Sequence, residues 1–477
     1  MPPSGTAIEP AVGRGRTAAR APWLTELRAL VLLAVPLVLT QLSQIAIQTT
    51  DVVMMGWLGP RELAAGALAG HTFFALFLLG LGVSSAVAPL AAQALGAKRR
   101  RDVRRYTRQG LYAAMIISVP VVALLLWFAP IARMLGQDPQ IVDMARPYMN
   151  ALLFALPPGL GYVVLRCFCS ALNRPGPPLV AMAVCIPLNG LLNYALMFGH
   201  FGLPRMGLVG AGVATAVVEW LMFLGLLVFV VRDRGFRRYG ILVNWWRADW
   251  VRLRQVFAVG LPIGGSILME SMMFSAAIYF MGVISDIAIA AHQIAIQCAA
   301  ISFMVPLGVG QAAVIRVGLA AGARDRAAVR RAGLVAFIVG CGFMAAMSLV
   351  LVSVPELLVS AYLDLSDPAT APVVSLAVTF LGIAALFQIF DGAQVLGQHT
   401  LRGIKDTRVP MVIAGFGYWL IGMPACALLA FAVGLGGLGV WLGLALGLAF
   451  VSVILFWRFM RETRPDRIGR WFALVDA

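Results

Sequence analysis

The chain is a succession of long apolar runs broken by short polar segments, most of them rich in arginine. A helix needs about 20 predominantly apolar residues to cross a hydrocarbon core of roughly 30 Å. Twelve runs meet that need, at 29–56, 63–95, 111–132, 147–171, 179–200, 207–231, 255–284, 288–320, 333–354, 372–401, 409–433 and 435–460. Several exceed the minimum, which predicts tilt or extension beyond the core. Backbone groups in lipid must be hydrogen-bonded within their own segment, so the pattern predicts an all-α integral membrane protein.

The pattern repeats. AVPLVLTQLSQ (34–44) sets against VGLPIGGSILME (259–270), which places Pro36 on Pro262 and Gln44 on Glu270 at an offset of 226. The same offset puts Ala64-Ala65-Gly66 on Ala290-Ala291-His292 and Gly96-Ala97-Lys98 on Gly322-Ala323-Arg324. Near the ends of the halves, GLVGAGV (207–213) matches GLGGLGV (434–440) at an offset of 227. Each half holds six spans and starts on the same side. Two six-helix pseudo-symmetric lobes follow, related by an axis along the membrane normal, and transporters built this way bind substrate between their repeats. The expected organisation is a tail (1–28), a first lobe (29–231), an inter-lobe loop (232–254), a second lobe (255–460) and a second tail (461–477). Gly434, Gly436 and Gly439 spell a dinucleotide-binding fingerprint, but no βαβ unit surrounds them. Gly439, Gly443 and Gly447 read better as a close helix-packing edge.

Composition agrees: 61% of residues are hydrophobic and 12% charged, against about 25% charged in soluble domains. A net charge of +16 suggests nucleic acid until the basic residues are located. Of the 37, 32 fall in the two tails and the loops on their side, and Arg61, Arg133, Arg146 and Arg205 fall opposite. Basic loops stay in the cytoplasm, so both termini are expected there and no nucleic-acid partner is expected. The loop 232–254 should lie along that surface with Trp245, Trp246 and Trp250 at headgroup level. Six cysteines lie in apolar segments without zinc spacing and read as packing residues.

Charges at membrane depth are few: Asp51, Arg166, Glu219, Glu270, Arg316 and Asp391. An intramembrane charge is costly and marks a functional site by default. At about 1.5 Å per residue, Glu270 sits roughly 22 Å and Asp391 roughly 16 Å from their cytoplasmic ends, close enough to share a site, with Asp51 farther out. Two neighbouring carboxylates in a low dielectric cannot both be ionised cheaply, so one holds a proton or a cation lies between them. That is the requirement of an ion-coupled carrier. In the first half, Asn189 and Asn193 share a helix face, as do Thr215 and Glu219, and with Asp51 they could line a polar pocket. His292 reads as a packing residue, and Arg166 and Arg316 lie near enough to helix ends to snorkel.

Taken together, AVPLVLTQLSQIAIQTTDVVMMGWLG (34–59), PLNGLLNYALMFG (187–199), GLPIGGSILMES (260–271), AAHQIA (290–295), FMVPLGVGQAAVIRVG (303–318) and FQIFDGAQVLGQHTLRGIKDTRVP (387–410) resemble the multidrug and toxic compound extrusion (MATE) transporters, in the bacterial NorM-like branch. The resemblance runs from about 25 to 460. It implies residence in a bacterial inner membrane, two lobes forming a V that exchange between outward- and inward-facing states, and export of cationic, amphiphilic compounds driven by Na+ or H+. It carries the second-lobe cation site onto Glu270 and Asp391, as Na+ ligands if sodium couples, and the first-lobe acid onto Asp51, with Asn189, Asn193 and Thr215 near it. Phe387 stands where many relatives carry a tyrosine, keeping an aromatic face for a cation. Glu219 is an addition to the first-lobe pocket, and Gln44 is the neutral counterpart of Glu270.

The function expected is therefore a cation-coupled multidrug antiporter without a cofactor, acting on small molecules in the lipid bilayer and needing no protein partner. A related flippase for lipid-linked saccharides would show several cations in its cleft. An integral-membrane enzyme would need a metal set or a nucleophile–base pair, and neither H-E-x-x-H nor G-x-S-x-G occurs.

Overall fold

The computed structural model describes residues 14–473 except 244 and 366, so the outer parts of the two expected tails, 1–13 and 474–477, lie outside the described residues. Among the described residues, twelve helices are long and apolar enough to cross a membrane. They are α1 (Pro22–Leu58), α2 (Pro60–Gly96), α3 (Arg100–Leu126), α4 (Pro139–Ala171), α5 (Gly176–Phe198), α6 (Leu208–Arg232), α7 (Trp250–Ile284), α8 (Asp286–Gly322), α9 (Arg326–Ser353), α10 (Ala371–Gly403), α11 (Arg408–Ala432) and α12 (Gly437–Glu462). Short helices at Phe128–Met134, Arg234–Arg237, Pro355–Ser360 and Ile468–Ala473 fill connections, and no strand occurs among the described residues. The helices match the apolar runs in number and outlast them at polar ends. Thus α7 starts five residues before its apolar run, where the Asp249 side chain accepts the Arg252 N–H and caps it.

Matching hydrogen bonds set the register between the bundles α1–α6 and α7–α12. Thr40 and Ser266 each return a hydroxyl to the proline carbonyl one turn back, Pro36 and Pro262, so the offset of 226 holds in α1 and α7. α4 and α10 end in the same turn at an offset of 232. There Asn173 N–H donates to Ser170 O and Lys405 N–H to Arg402 O, with φ of 56° and 66° at Asn173 and Lys405. At the start of α6 and α12 the expected offset of 227 is wrong by two. Gly207 and Gly436 are the equivalent residues, at φ 56° and 55°, and Gly210 and Gly439 press alike on the backbone of the preceding span, which makes the offset 229. A run of Gly, Leu and Val resembles itself almost as well two residues out of phase, whereas Gly207 and Gly436 share both dihedrals, φ 56° and 55° with ψ −134° and −133°, and Gly434 differs at φ 80°. Gly443 lies on the packing edge expected of it, since a Cβ there would stand 2.3 Å from Cys426 N.

The bundles meet at the arginine-rich end. A Cβ on Gly96 would lie 2.1 Å from Leu319 O and one on Gly322 2.1 Å from Gln93 O, so α2 and α8 touch backbone to backbone. Farther in, Gly82 abuts Gly264 and Gly308 abuts Val38. Polar contacts cross the same seam: Gln93 Nε2 to Gly403 O at 2.8 Å, Arg252 to Asp102 at 2.6 Å, and both Arg316 nitrogens to Glu26 at 2.8 and 2.7 Å. Arg316 therefore does not snorkel; it is held across the seam by a buried carboxylate. Gly322→Ala is expected to strain this seam by about 1–3 kcal/mol, because neither backbone can yield. Spin labels at Arg100 and Ala327 should then report a longer or broader distance than in the parent. An unchanged distribution would show that the contact does not limit closure.

The loop 232–254 follows the surface only in part. Phe236 and Tyr239 pack on Phe168 with centroids 5.7 and 5.8 Å away. Trp245 lies 4.9 Å from Tyr112, whose hydroxyl donates to the Trp245 carbonyl, so this tryptophan is docked on α3 instead of standing at headgroup level. Trp246 and Trp250 are exposed, at 79% and 72%.

Candidate functional site

Between the bundles lies a cavity of about 450 Å³. Its apolar walls include Phe74, Phe77, Met182 and Met222 of the first bundle and Phe274, Phe303 and Met304 of the second. Two acids and two arginines reach it: Glu219 and Arg166 from the first bundle, Glu270 and Arg402 from the second. Gln41, Gln44, Gln48, Gln311 and Gln398 add amides to its lining, beside Ser85, Tyr162, Ser170, Ser271 and His399.

In the second bundle a polar file runs along one face of α10, because Asp391, Gln394, Gln398 and Arg402 recur every three or four residues. Gln394 Nε2 donates to Glu270 Oε1 at 2.8 Å, Gln398 Nε2 to Gln394 Oε1 at 2.7 Å, and Arg402 Nη2 to Gln398 Oε1 at 2.6 Å. Tyr418 adds a hydrogen bond to Gln394 Oε1 at 2.9 Å, from a stretch of α11, Phe416–Gly422, wound as a π-helix. Such wide turns recur at functional sites. Asp391 stands one turn from Gln394, buried behind the cavity wall and within electrostatic reach of Glu270, and its Oδ1 lacks a hydrogen-bond partner. An unpaired buried carboxylate oxygen is costly unless a proton or cation satisfies it. The site thus has two carboxylates on either side of one amide, bonded to Glu270, with oxygen ligands only and the charge of Arg402 two turns along the helix from that amide. That donor chemistry suits a proton or a hard monovalent cation better than a thiol- or imidazole-seeking metal.

Phe387 does not offer a face to the cavity. Its ring is 1% exposed and stands edge-on to Trp441 and Phe274 at 5.3 and 6.1 Å, so it is a packing residue behind the wall. His292 packs beside the same Trp441 at 5.3 Å.

The first-bundle residues divide into two groups. Asn193 Nδ2 donates to Asp51 Oδ1 at 2.6 Å and reaches Asn189 Oδ1 at 3.4 Å, and both asparagines are fully buried. Thr215 is not joined to this group by a hydrogen bond, since its hydroxyl returns to Ala211 O of its own helix. Glu219 belongs instead to the cavity wall, where Gln44 also lies. Arg166 corrects the snorkelling expectation: it is buried, lines the cavity, and donates to Gln41 Oε1 at 2.9 Å.

Gln394, Gln398, Arg402, Tyr418, Gln41 and Arg166 were missed as site residues. For the first three the signal was present, as polar positions at 391, 394, 398 and 402 in an otherwise apolar helix. For Tyr418 there was none, because its direction depends on local widening of α11.

The family model described as MatE matches residues 36–195 and 262–428. These two ranges start 226 residues apart, on the paired prolines of α1 and α7. A probable multidrug resistance protein NorM of Mesorhizobium japonicum is 48% identical over 451 residues, covering 94% of this chain and 97% of its own. A probable NorM of Brucella suis is 45% identical, covering 92% and 94%. Among solved structures, a eukaryotic MATE transporter superposes with a TM-score of 0.80 at 22% identity, covering 94% of this chain and 99% of its own. An outward-facing multidrug resistance MATE family transporter gives 0.82 at 18%, covering 92% and 96%. With the repeat, the twelve helices and the inter-bundle cavity already described, these matches establish that the chain belongs to the MatE family.

Proposed function

We propose that this protein is a cation-coupled multidrug efflux antiporter of the bacterial inner membrane, with both termini in the cytoplasm, which moves cationic, amphiphilic small molecules without converting them chemically. The observation that carries the coupling assignment is the closeness of two buried acids around Gln394, which donates to Glu270 at the cavity wall and stands one turn from Asp391 behind it. An incoming Na+ or proton lowers the charge of that pair. Arg402, reaching the pair through Gln398 and Gln394, feels the change and can pass it to the floor of the cavity. Ion binding then favours one arrangement of the bundles and ion release the other, to the extent of its differential affinity for the two. Asp51, with Asn189 and Asn193, offers a second acid in the first bundle, off the cavity. Arg166 and Arg402 are the cleft cations that a lipid-linked saccharide flippase would need. Each is already hydrogen-bonded to a glutamine and balanced by a cavity carboxylate, which favours cationic cargo.

The test is dye efflux from proteoliposomes under a sodium gradient alone and a proton gradient alone. Efflux is expected with at least one, and the effective gradient names the ion. No response to either would refute antiport.

A further inference from the structure

We propose that Glu219 is the carboxylate that receives the cationic group of the transported compound, in a site on the first-bundle wall separate from the Glu270/Asp391 pair. The proposal rests on the reading of the cargo as an organic cation. Its starting point is the register between the bundles. The common turn after α4 and α10 makes Gly159 the counterpart of Asp391, and the Pro36/Pro262 pair makes Gln44 the counterpart of Glu270. By that correspondence the first bundle has lost both acids of the second. It regains one from another helix. Glu219 lies on α6, where its counterpart at an offset of 229 is the buried Leu448 of α12. Its Oε2 sits over Gly159, 3.2 Å from where a Cβ would be. A carboxylate therefore stands in each bundle at the matching place, brought in by different helices, with Gly159 leaving the room that Glu219 fills.

The two carboxylates that line the cavity, Glu219 and Glu270, differ in what they touch. Glu270 is hydrogen-bonded by Gln394 and tied to the file ending at Arg402. Glu219 has no hydrogen bond among the described residues and faces the cavity, with Arg166 and Asp51 in electrostatic reach. Arg166 spends one guanidinium N–H on Gln41 and keeps the wall near neutrality. A half-buried acid with no hydrogen-bond donor of its own, beside Phe77 and Met222 on an apolar wall, suits an organic cation with an aromatic body. It suits a small ion less well, because no amide or hydroxyl among the described residues is hydrogen-bonded to it.

The probes are tetraphenylphosphonium, a permanent cation that cannot lose a proton, and the neutral triphenylphosphine oxide, with purified protein in nanodiscs. Glu219→Gln is expected to raise the tetraphenylphosphonium Kd by about 10- to 100-fold and to leave the neutral probe unchanged. Gly159→Ala, which adds no charge but presses a methyl on the Glu219 carboxylate, should weaken the cation in the same direction, and Glu219→Asp should restore part of the affinity. Thermal melting confirms that each variant is folded, and either Gly159→Ala or Glu219→Asp decides the question if Glu219→Gln is not. Equal loss for both probes, or no loss for either, overturns the assignment. Failure of the parent protein to bind tetraphenylphosphonium overturns the cationic-cargo reading itself, and the assignment with it.

Discussion

In proteoliposomes carrying a fluorescent cationic dye, Glu270→Gln and Asp391→Asn should each cut gradient-driven efflux by about a hundredfold. Each variant changes one acid of a pair that flanks a single amide, Gln394, which donates to Glu270 and stands one turn from the buried Asp391. Truncating one member of a buried charged contact costs about 2–5 kcal/mol, and here the lost partner is the coupling cation. The Asp391 change should be at least as severe. Its Oδ1 is buried without a hydrogen bond, so that oxygen has no role in holding the helices that the variant could disturb. The double variant should be little worse than either single one, because groups acting as one unit are not additive. Binding of the dye to the purified variants should change by less than about threefold, since neither residue is the proposed cargo carboxylate. Two outcomes would defeat this account: efflux at parental rates in either variant, or a double variant whose loss is the product of the singles.

The fold was legible because lipid imposes a simple rule. Apolar length sets the helices and arginine sets the ends, and neither depends on tertiary detail. The repeat was legible for α1 and α7, where a proline with a hydroxyl one turn later marks the register in both halves. It misled for α6 and α12, where the composition of Gly, Leu and Val is nearly periodic and only backbone dihedrals separate one phase from another. The nearness of Glu270 and Asp391 followed from their depth alone. Side-chain direction did not. Whether Phe387 faces a cavity or Trp441, and whether Arg166 snorkels or turns to Gln41, depends on which neighbour offers a partner across the bundle. The same limit hid Glu219, grouped by helical spacing with Thr215 and Asp51, although its carboxylate leans over Gly159 from a different helix. Helical spacing gives the face of one helix and is silent on what stands opposite.

The second large effect concerns the seam. Arg316 and Glu26 form a bidentate pair between α8 and α1, the more rigid of the guanidinium–carboxylate geometries, with the Glu26 side chain 8% exposed and that of Arg316 24%. The two residues belong to different bundles, so this pair exists only while the arginine-rich end is closed. An inward-facing state must break it and return both charges to water. Glu26→Ala leaves a half-buried guanidinium without its carboxylate and should destabilise the closed end by about 1–3 kcal/mol, less than for a fully buried pair because water reaches Arg316. By that amount the ratio of open to closed forms rises about 5- to 150-fold. Spin labels at Arg100 and Ala327 should then show a second, longer distance absent from the parent. Glu26→Ala combined with Arg316→Ala should be closer to the parent than Glu26→Ala alone, since the orphaned charge is gone. The exchanged pair, Glu26→Arg with Arg316→Glu, should recover part of the closed population. If Glu26→Ala keeps the parental distance distribution, the pair is a passenger and the other contacts hold the seam, the backbone approach at Gly96 and Gly322 and the Gln93 and Arg252 bonds among them.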